Sequence, residues 1–171
     1  MRKKKHPKES FTTKTEVVFP NDTNPLNHLM GGKMLHWMDI VAGITAIKHS
    51  NSIVTTVSVD NVCLAHPIKL GNIVTLEAQI TRAYHSSMEV RIEVWAEDFL
   101  KGEKIKSNEA YYTFVAINKS GKTIEVPEII PETEKETELY NDALRRRQLR
   151  LVLAGRMKPS EAKEVRTLFE L

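Results

Sequence analysis

The chain has 171 residues, 41% of them hydrophobic and 27% charged, a balance that is typical of one globular domain and excludes a wholly disordered protein. Its net charge of +3 permits an anionic ligand without requiring nucleic acid. The single cysteine, Cys63, excludes a disulfide within the chain, and no run approaches the roughly 18 apolar residues of a membrane span. We therefore expect a cytoplasmic protein with no nucleic-acid or membrane partner, in which Cys63 is a small buried hydrophobe.

The first segments of the chain are polar. Residues 1–12 are basic and polar, so we expect a flexible tail. Thr15 to Phe19 predicts the first short strand of a single domain that covers residues 13–131. Pro20 to Leu29 is rich in Asn, Asp and Pro, which favour turns, and predicts a loop.

A long helix is predicted next, from Lys33 to about His49, directly after Gly31-Gly32. This stretch contains no proline, and its apolar residues lie almost all the way round the helix. A pattern of this kind is typical of a helix that is buried rather than one that rests on a surface.

Strands dominate the middle of the chain. Period-two alternation of apolar and polar residues predicts strands with one buried face. The predicted strands are Ile53 to Leu64, Val74 to Ile80, Met88 to Ala96 and Ala110 to Ile117, with turns at Lys69–Asn72 and Asn118–Gly121. One buried helix followed by long strands predicts an α+β fold of hotdog type, in which a curved antiparallel sheet wraps around a long central helix.

The last segment, residues 132–171, changes character and predicts a C-terminal helical extension. Glu132 to about Ala154 is charged and helix-favouring, and Gly155 is a plausible stop. Pro159-Ser160 then opens a last short helix that we expect to reach Phe169.

Gly31 and Gly32 stand where the buried helix begins. Free backbone N–H groups and the positive end of the helix dipole meet there, which suits a carbonyl oxygen that becomes negative during attack. The alternative is that the glycines only allow tight packing of the helix against the sheet. The sequence leaves both interpretations open.

Asp39 is the only carboxylate of the predicted helix. Helical spacing places Gly32, His36, Asp39 and Gly43 along one small, polar stripe, which resembles the wall of a site. A carboxylate among apolar neighbours is costly to bury unless it has partners. Asp39 is therefore a candidate general base or nucleophile, and a structural aspartate is the alternative.

Three further polar residues lie close to this stripe in the sequence. Asn24 precedes Pro25, and its amide is suited to orienting a water or donating to a substrate oxygen, although Asn-Pro is also a common turn pair. His28 and His36 could pair with the carboxylate, but solvated histidines are the simpler interpretation. No phosphate-binding loop, zinc-ligand spacing or serine-nucleophile motif is present, so we expect neither a metal nor a cofactor.

The order of these residues resembles the hotdog acyl-CoA thioesterases of the cytosolic, brain-type acyl-CoA hydrolase group. The resemblance covers about residues 15–148. It is carried by Pro20-Asn-Asp-Thr-Asn24, Gly31-Gly32, Trp37-Met-Asp39, Val54 to Asp60, Pro67 to Gly71, Ser86-Ser-Met88, Thr113 to Ala116 and Val126-Pro127.

This resemblance implies hydrolysis of acyl-CoA to a fatty acid and CoA. Asp39 matches the catalytic carboxylate, Gly32 the glycine whose N–H binds the thioester carbonyl, and Asn24 and Thr56 the residues that place water and substrate. In the family the site forms between two subunits, so Asp39 would act with Asn24 or Thr56 of a partner. A homodimer is then the minimum, and a hexamer built as a trimer of dimers is common among such proteins.

Contacts with CoA are also implied by the resemblance. Gly31, Ser86, Ser87 and Met88 match its substrate-binding positions, but Asn27 and Tyr84-His85 stand where the family often has glycine. Three consecutive arginines, Arg145, Arg146 and Arg147, suit the phosphates of CoA, because a guanidinium pairs with phosphate in a fork. The alternative for these arginines is a solvated helix face that pairs with the glutamates of residues 132–138.

Two other functions remain open from the sequence. A hotdog dehydratase acting on 3-hydroxyacyl thioesters would require a histidine beside the helix carboxylate, and His28 with Asp39 is the candidate pair. A non-catalytic acyl-CoA sensor, or a nucleic-acid binder that uses the C-terminal arginines, is the other. Glutamates interrupt the basic residues, which disfavours the nucleic-acid interpretation.

Overall fold

The computed structural model describes residues 2–60, 62 and 66–167, so the predictions for Cys63 and Phe169 lie outside the described residues. Within the described part, the elements are β1 (Lys4–Lys5), β2 (Thr12–Val17), α1 (Gly31–Ser50), β3 (Ile53–Asp60), β4 (Ile73–Ala83), β5 (Ser87–Asp98), β6 (Glu103–Ile117), β7 (Glu128–Ile129), α2 (Glu134–Leu153) and α3 (Lys163–Arg166), with short 3₁₀ turns at Pro7–Glu9, Pro20–Asp22 and Pro159–Glu161.

A five-stranded antiparallel sheet in the order β2-β4-β5-β6-β3 forms the body of the domain. The alternation of β5 separates its two faces. Met88, Val90 and Ile92 are fully buried in the core that the sheet shares with α1, whereas Glu89 points to the opposite face, where Arg146 of α2 contacts it. This confirms the predicted α+β hotdog fold.

The central helix α1 is buried on one face only in the single chain. Its sheet-facing side carries Trp37, Met38 and Val41, each at most 5% exposed. On its other side Leu35, Ile44 and Ile47 are between 36% and 49% exposed. We expected a helix that is buried all the way round. In the single chain only the sheet-facing side is buried, and this chain does not cover the apolar residues of the other side.

The strands differ from their predicted limits, β6 most of all, and the predicted end of β3 at Leu64 lies outside the described residues. β6 begins at Glu103 rather than Ala110, and its first half pairs with the end of β5. The prediction missed this half because its residues are mostly polar and show no apolar alternation. β2 begins at Thr12 and ends at Val17, since its register is set by pairing with β4 rather than by its own pattern.

The N-terminal residues differ from the flexible tail that we expected. β1 pairs in parallel with β7, with Lys4 opposite Glu128. The Arg2 guanidinium donates to the carbonyl of Val126 at 2.7 Å, and the Lys5 ammonium donates to the carbonyl of His49 at 2.9 Å. Lys5 thereby satisfies a carbonyl near the C-terminus of α1, where the helix dipole favours positive charge.

The predicted turns and helix ends are present. Gly71 and Gly121 adopt positive φ angles of 84° and 78°, and the N–H of Gly121 closes its turn on the carbonyl of Asn118 at 3.0 Å. Gly155, with φ of 67°, follows the end of α2 as expected. None of the helices in the described ranges is long and apolar enough to cross a membrane.

Candidate active site

The loop before α1 is held by a buried carboxylate that the sequence analysis did not single out. Asp22 is 7% exposed, accepts the N–H of Phe19 at 3.1 Å and forms an ion pair with Lys33 at 2.9 Å. The hydrogen bond from Lys33 lowers the pKa of Asp22 below its ordinary value. The loop is thereby tied to the first turn of the helix.

Asn24 organises the same loop through its side chain. Its Oδ1 accepts the backbone N–H groups of Leu26 at 2.9 Å and of His28 at 3.1 Å. Asn27 adopts the left-handed conformation, with φ of 57°, which asparagine tolerates better than most residues. Because the oxygen is used by the loop, the amide NH₂ of Asn24 is the group left for a substrate or a water.

The start of α1 is open. A Cβ added to Gly32 would meet no heavy atom within 4 Å, so tight packing within this chain does not explain the glycine. The first hydrogen bond onto the helix is that from the N–H of Met34 to Met30. The N–H groups of the first turn therefore point out of the helix end, beside a cleft of about 260 Å³ that Asn24, His28 and Gly31 help to line.

Asp39 lies two turns further along α1, on the exposed face. Its Oδ1 accepts the hydroxyl of Thr56 at 2.9 Å. A β-bulge at Val57 interrupts the pairing of β3 with β6 immediately after Thr56, and such bulges re-aim neighbouring side chains. Thr56 of the same chain therefore holds the carboxylate, and the expected action of Asp39 with Asn24 or Thr56 of a partner stays a prediction.

The environment of Asp39 also differs from the expected burial. Its side chain is exposed in the single chain, because the outer face of α1 is not covered. Within the described residues, neither His28 nor His36 makes a hydrogen bond or ion pair with Asp39, which weighs against a histidine–carboxylate pair.

Tyr112 lies beneath this turn of the helix and was not identified from the sequence. Its hydroxyl donates to the carbonyl of Leu35 at 3.3 Å. Burial, with a contribution from the charge of Asp39, raises the pKa of Tyr112 to about 12. The sequence offered one signal for Tyr112, its inward position on a strand, because a buried tyrosine hydroxyl usually needs a hydrogen-bond partner.

The Ser86-Ser87-Met88 run is only partly accessible. Met88 is fully buried in the core of the single chain, which weighs against its predicted contact with substrate. The carbonyl of Ser86 accepts the N–H of Ala116 at 2.9 Å, and the hydroxyl of Ser87 accepts from Arg147 at 3.2 Å. Ser86 and Ser87 are each partly exposed.

The three arginines of α2 have different surroundings. Arg146 binds the carboxylate of Glu89 with its Nε and Nη2, at 2.7 to 3.2 Å, and lies 3.8 Å from the centre of the Tyr111 ring. Burial acts to lower the pKa of Arg146, but its bonds to Glu89 hold that pKa above the ordinary value. The guanidinium neutralises a buried carboxylate, which weighs against the predicted contact of Arg146 with CoA.

The neighbouring arginines remain partly exposed. Arg145 pairs with Asp142 one turn away, at 3.4 Å, and Arg147 lies 4.1 Å from the centre of the Tyr84 ring. Neither pairs with the glutamates of residues 132–138. In the part of the chain that the structure describes, no three His, Cys, Asp or Glu side chains are grouped so as to hold a metal ion.

Comparison with known proteins places these features in a family. Residues 26–102 match the model of the thioesterase superfamily. The uncharacterized acyl-CoA thioester hydrolase YkhA of Bacillus subtilis is 41% identical over 139 residues, which is 81% of this chain and 81% of that protein.

Solved structures of acyl-CoA thioesterases have the same fold as this chain. A hexameric apo acyl-CoA thioesterase is 38% identical with a TM-score of 0.86, covering 89% of this chain and 97% of that one. The acyl-CoA hydrolase from Staphylococcus aureus, in complex with butyryl-CoA, CoA and CoA disulfide, is 35% identical with a TM-score of 0.82, covering 89% of this chain and 94% of that one.

Variants of the Staphylococcus aureus enzyme have also been solved, in which an aspartate, a threonine or an asparagine is replaced by alanine. The asparagine lies 15 positions before the aspartate, and the threonine 17 positions after it. Asn24, Asp39 and Thr56 have the same intervals in this chain.

Proposed function

The chain belongs to the acyl-CoA thioester hydrolases of the thioesterase superfamily, and from that premise we propose that it hydrolyses fatty acyl-CoA with Asp39 as general base or nucleophile and the Gly32 N–H polarising the thioester carbonyl. The observation that carries the proposal is the hydrogen bond from Thr56 to Asp39 on the exposed face of α1. The equal spacing of asparagine, aspartate and threonine in the Staphylococcus aureus enzyme supports it.

Each group has a role that its geometry permits if the Gly32 N–H of one protomer acts with Asp39 of its partner, since the two residues lie about 10 Å apart along one helix. The open N-terminus of α1 offers N–H donors to the oxygen that gains negative charge in the tetrahedral intermediate. Asp39 takes a proton from the attacking water, and that proton passes to the CoA sulfur as the C–S bond breaks. In the covalent variant, the carboxylate attacks the carbonyl carbon, CoA thiolate leaves, and water then hydrolyses the acyl anhydride.

The remaining substrate contacts follow from the accessible residues. Gly31 and the amide of Asn24 share the cleft at the end of the helix, which suits the thioester region. Ser86, Ser87, Arg145 and Arg147 are the predicted positions still available to the polar part of CoA, because Arg146 is occupied by Glu89. No metal or cofactor is needed for this chemistry.

A second copy of the chain completes the proposal. β3 is the last strand of the sheet, so one of its edges is unpaired, and Ile53 and Val57 along it are more than half exposed. Together with the open face of α1, this strand gives a contiguous apolar surface beside Asp39. We expect a homodimer formed through it, and a trimer of such dimers. The cytosolic, brain-type subgroup and the cytoplasmic location stay predictions.

The test is thiol release from a panel of acyl-CoAs of increasing chain length, with wild type beside Asp39→Ala. We expect wild-type hydrolysis and a loss of about 10²- to 10⁴-fold in kcat for the variant, the range for removal of a catalytic base. Calorimetric titration with CoA should show that both proteins still bind it.

The alternatives give different results in the same assay. Binding of CoA without turnover by wild type would support a non-catalytic acyl-CoA sensor. Formation of an enoyl thioester from a 3-hydroxyacyl-CoA would support a dehydratase. Full hydrolysis by Asp39→Ala would contradict the mechanism while leaving the thioesterase activity in place.

A further inference from the structure

Tyr112 and Asp39 are linked through one backbone carbonyl. In an α-helix the N–H of residue 39 bonds to the carbonyl of residue 35. The hydroxyl of Tyr112, from β6, donates to that same carbonyl of Leu35. A carbonyl oxygen has two lone pairs and accepts both bonds, so the hydroxyl fastens the sheet to the helical turn from which the Asp39 carboxylate projects.

The Tyr112 ring also supports the second residue of the pair. It stacks against Phe114 with the ring centres 6.5 Å apart and the planes at 17°. Phe114 lies opposite Thr56 in the pairing of β6 with β3, and it faces Gly43 of α1, where an added Cβ would be 3.8 Å from the ring. The two buried rings form a common base under the helix turn and the strand that meet at Asp39 and Thr56.

The chemistry of the phenol suits a role in support rather than in proton transfer. Tyr112 is 2% exposed, so it does not reach substrate from the surface. Burial and the nearby Asp39 charge raise its pKa to about 12, so the hydroxyl stays protonated throughout the range in which an enzyme of this kind works. It is therefore a constant donor to Leu35 and adds no second charge beside the carboxylate.

From these contacts we propose that Tyr112 is a positioning residue for Asp39, acting through the Leu35 carbonyl. The inference rests on the proposed function, because it assigns a role to Tyr112 only if Asp39 carries the chemistry. Thr56 fixes the carboxylate end of the side chain, and Tyr112 fixes its backbone end. The two restraints together hold the carboxylate in one orientation on a helix face that the chain leaves open.

The experiment compares Tyr112→Phe with Tyr111→Phe. Both remove one buried phenolic hydroxyl from adjacent residues of β6, but Tyr111 points to the opposite face, where it donates to Glu109 at 2.6 Å. We expect Tyr112→Phe to lower kcat about tenfold with KM nearly unchanged, because small misplacements of a catalytic group cost rate rather than binding. Tyr111→Phe should keep kcat within about twofold of wild type. Thermal melting should show both variants folded.

A second measurement separates positioning from general damage to the fold. Tyr112→Phe is combined with Asp39→Ala, and the residual rate is followed by single turnover with excess enzyme. If Tyr112 acts through Asp39, the added change has no further effect on that rate. Equal losses with and without Asp39, or an unchanged kcat in Tyr112→Phe while Asp39→Ala is inactive, would overturn the inference. An active Asp39→Ala would instead remove the proposed role of Asp39, on which this inference rests, and leave the thioesterase activity in place.

Discussion

Asp39 owes its orientation to residues that are far from it in the chain. Thr56 reaches it because a bulge at Val57 changes the direction of β3, and Tyr112 reaches its helical turn from the opposite side of the core. A lone aspartate in an apolar helix is ambiguous from sequence. The hydrogen bond from Thr56 and the contact of Tyr112 with its helical turn distinguish a carboxylate held in one orientation from a freely solvated one.

His49, near the end of α1, gives a second prediction at this scale. It is fully buried, its Nε2 donates to the carbonyl of Pro127 at 2.9 Å, and its Nδ1 finds no partner in the described part of the chain. Burial is the main cause that lowers the pKa of His49 below 6.5. The charges of Lys5 and Arg2 add to it, against the opposing effects of the hydrogen bond to Pro127 and the charge of Glu9.

The sign of the resulting pH dependence follows from proton linkage. Below about pH 6.5 the unfolded chain binds a proton at His49 that the folded chain refuses, so stability falls as pH falls through that value, by at most about 1.4 kcal/mol per pH unit. Melting curves between pH 7 and 5 should show a smaller decrease for His49→Gln than for wild type. The lowered carboxyl pKa values of Asp22 and Glu109 matter only at more acidic pH. Parallel curves for the two proteins would contradict the prediction.

At the scale of elements, α2 is attached to the sheet by polar contacts rather than by an apolar face. Arg146 bonds to Glu89, the hydroxyl of Tyr84 donates to the carbonyl of Ala143 at 3.0 Å, and Arg82 lies 4.1 Å from the centre of the Tyr140 ring. Of the three consecutive arginines that suited phosphates in the sequence, Arg146 therefore attaches this helix to the sheet.

Arg146→Ala should therefore be strongly destabilising. The change leaves Glu89, which is 1% exposed, without its cation, and removing one partner of a buried pair costs about 3–5 kcal/mol. Arg145→Ala is the matched control, because the ion pair of Arg145 among the described residues is with Asp142 on the same helix, and such surface pairs contribute about 0.3–0.5 kcal/mol. Urea unfolding at one fixed protein concentration measures both. Similar losses for the two variants would refute the role of the Glu89 pair.

At the scale of the whole molecule, the site is expected to draw on two chains. Asn24 shares its cleft with Gly31, eight residues and about 12 Å of helix axis before Asp39. If Asn24 of one protomer serves Asp39 of its partner, co-expression of Asn24→Ala with Asp39→Ala leaves one intact site in each mixed dimer. Random mixing should then restore about a quarter of the wild-type rate. Activity no higher than that of either variant alone would show that both residues come from one chain.

The sequence predicted the parts of this molecule that depend on local patterns. The helix α1, the strands β4 and β5 and the turns follow from periodicity and turn residues, and Asp39, Asn24 and Gly32 were identified from their places on those elements. The contacts that hold the site and α2 in place were not predicted, because they join residues that are far apart in the sequence. Leu35 and Tyr112 are 77 positions apart, and Glu89 and Arg146 are 57 apart. The first half of β6 was also not predicted, because its mostly polar residues show no apolar alternation.

The parallel pairing of β1 with β7 also bears on how the protein is made. Lys4 leaves the ribosome 124 residues before Glu128, the residue it pairs with. The basic arm therefore waits for its partner strand while the residues of the helix and the sheet between them are being synthesised. The pairing of β1 with β7 therefore forms late in the synthesis of the hotdog domain, and a nascent chain that stalls before residue 128 cannot form it.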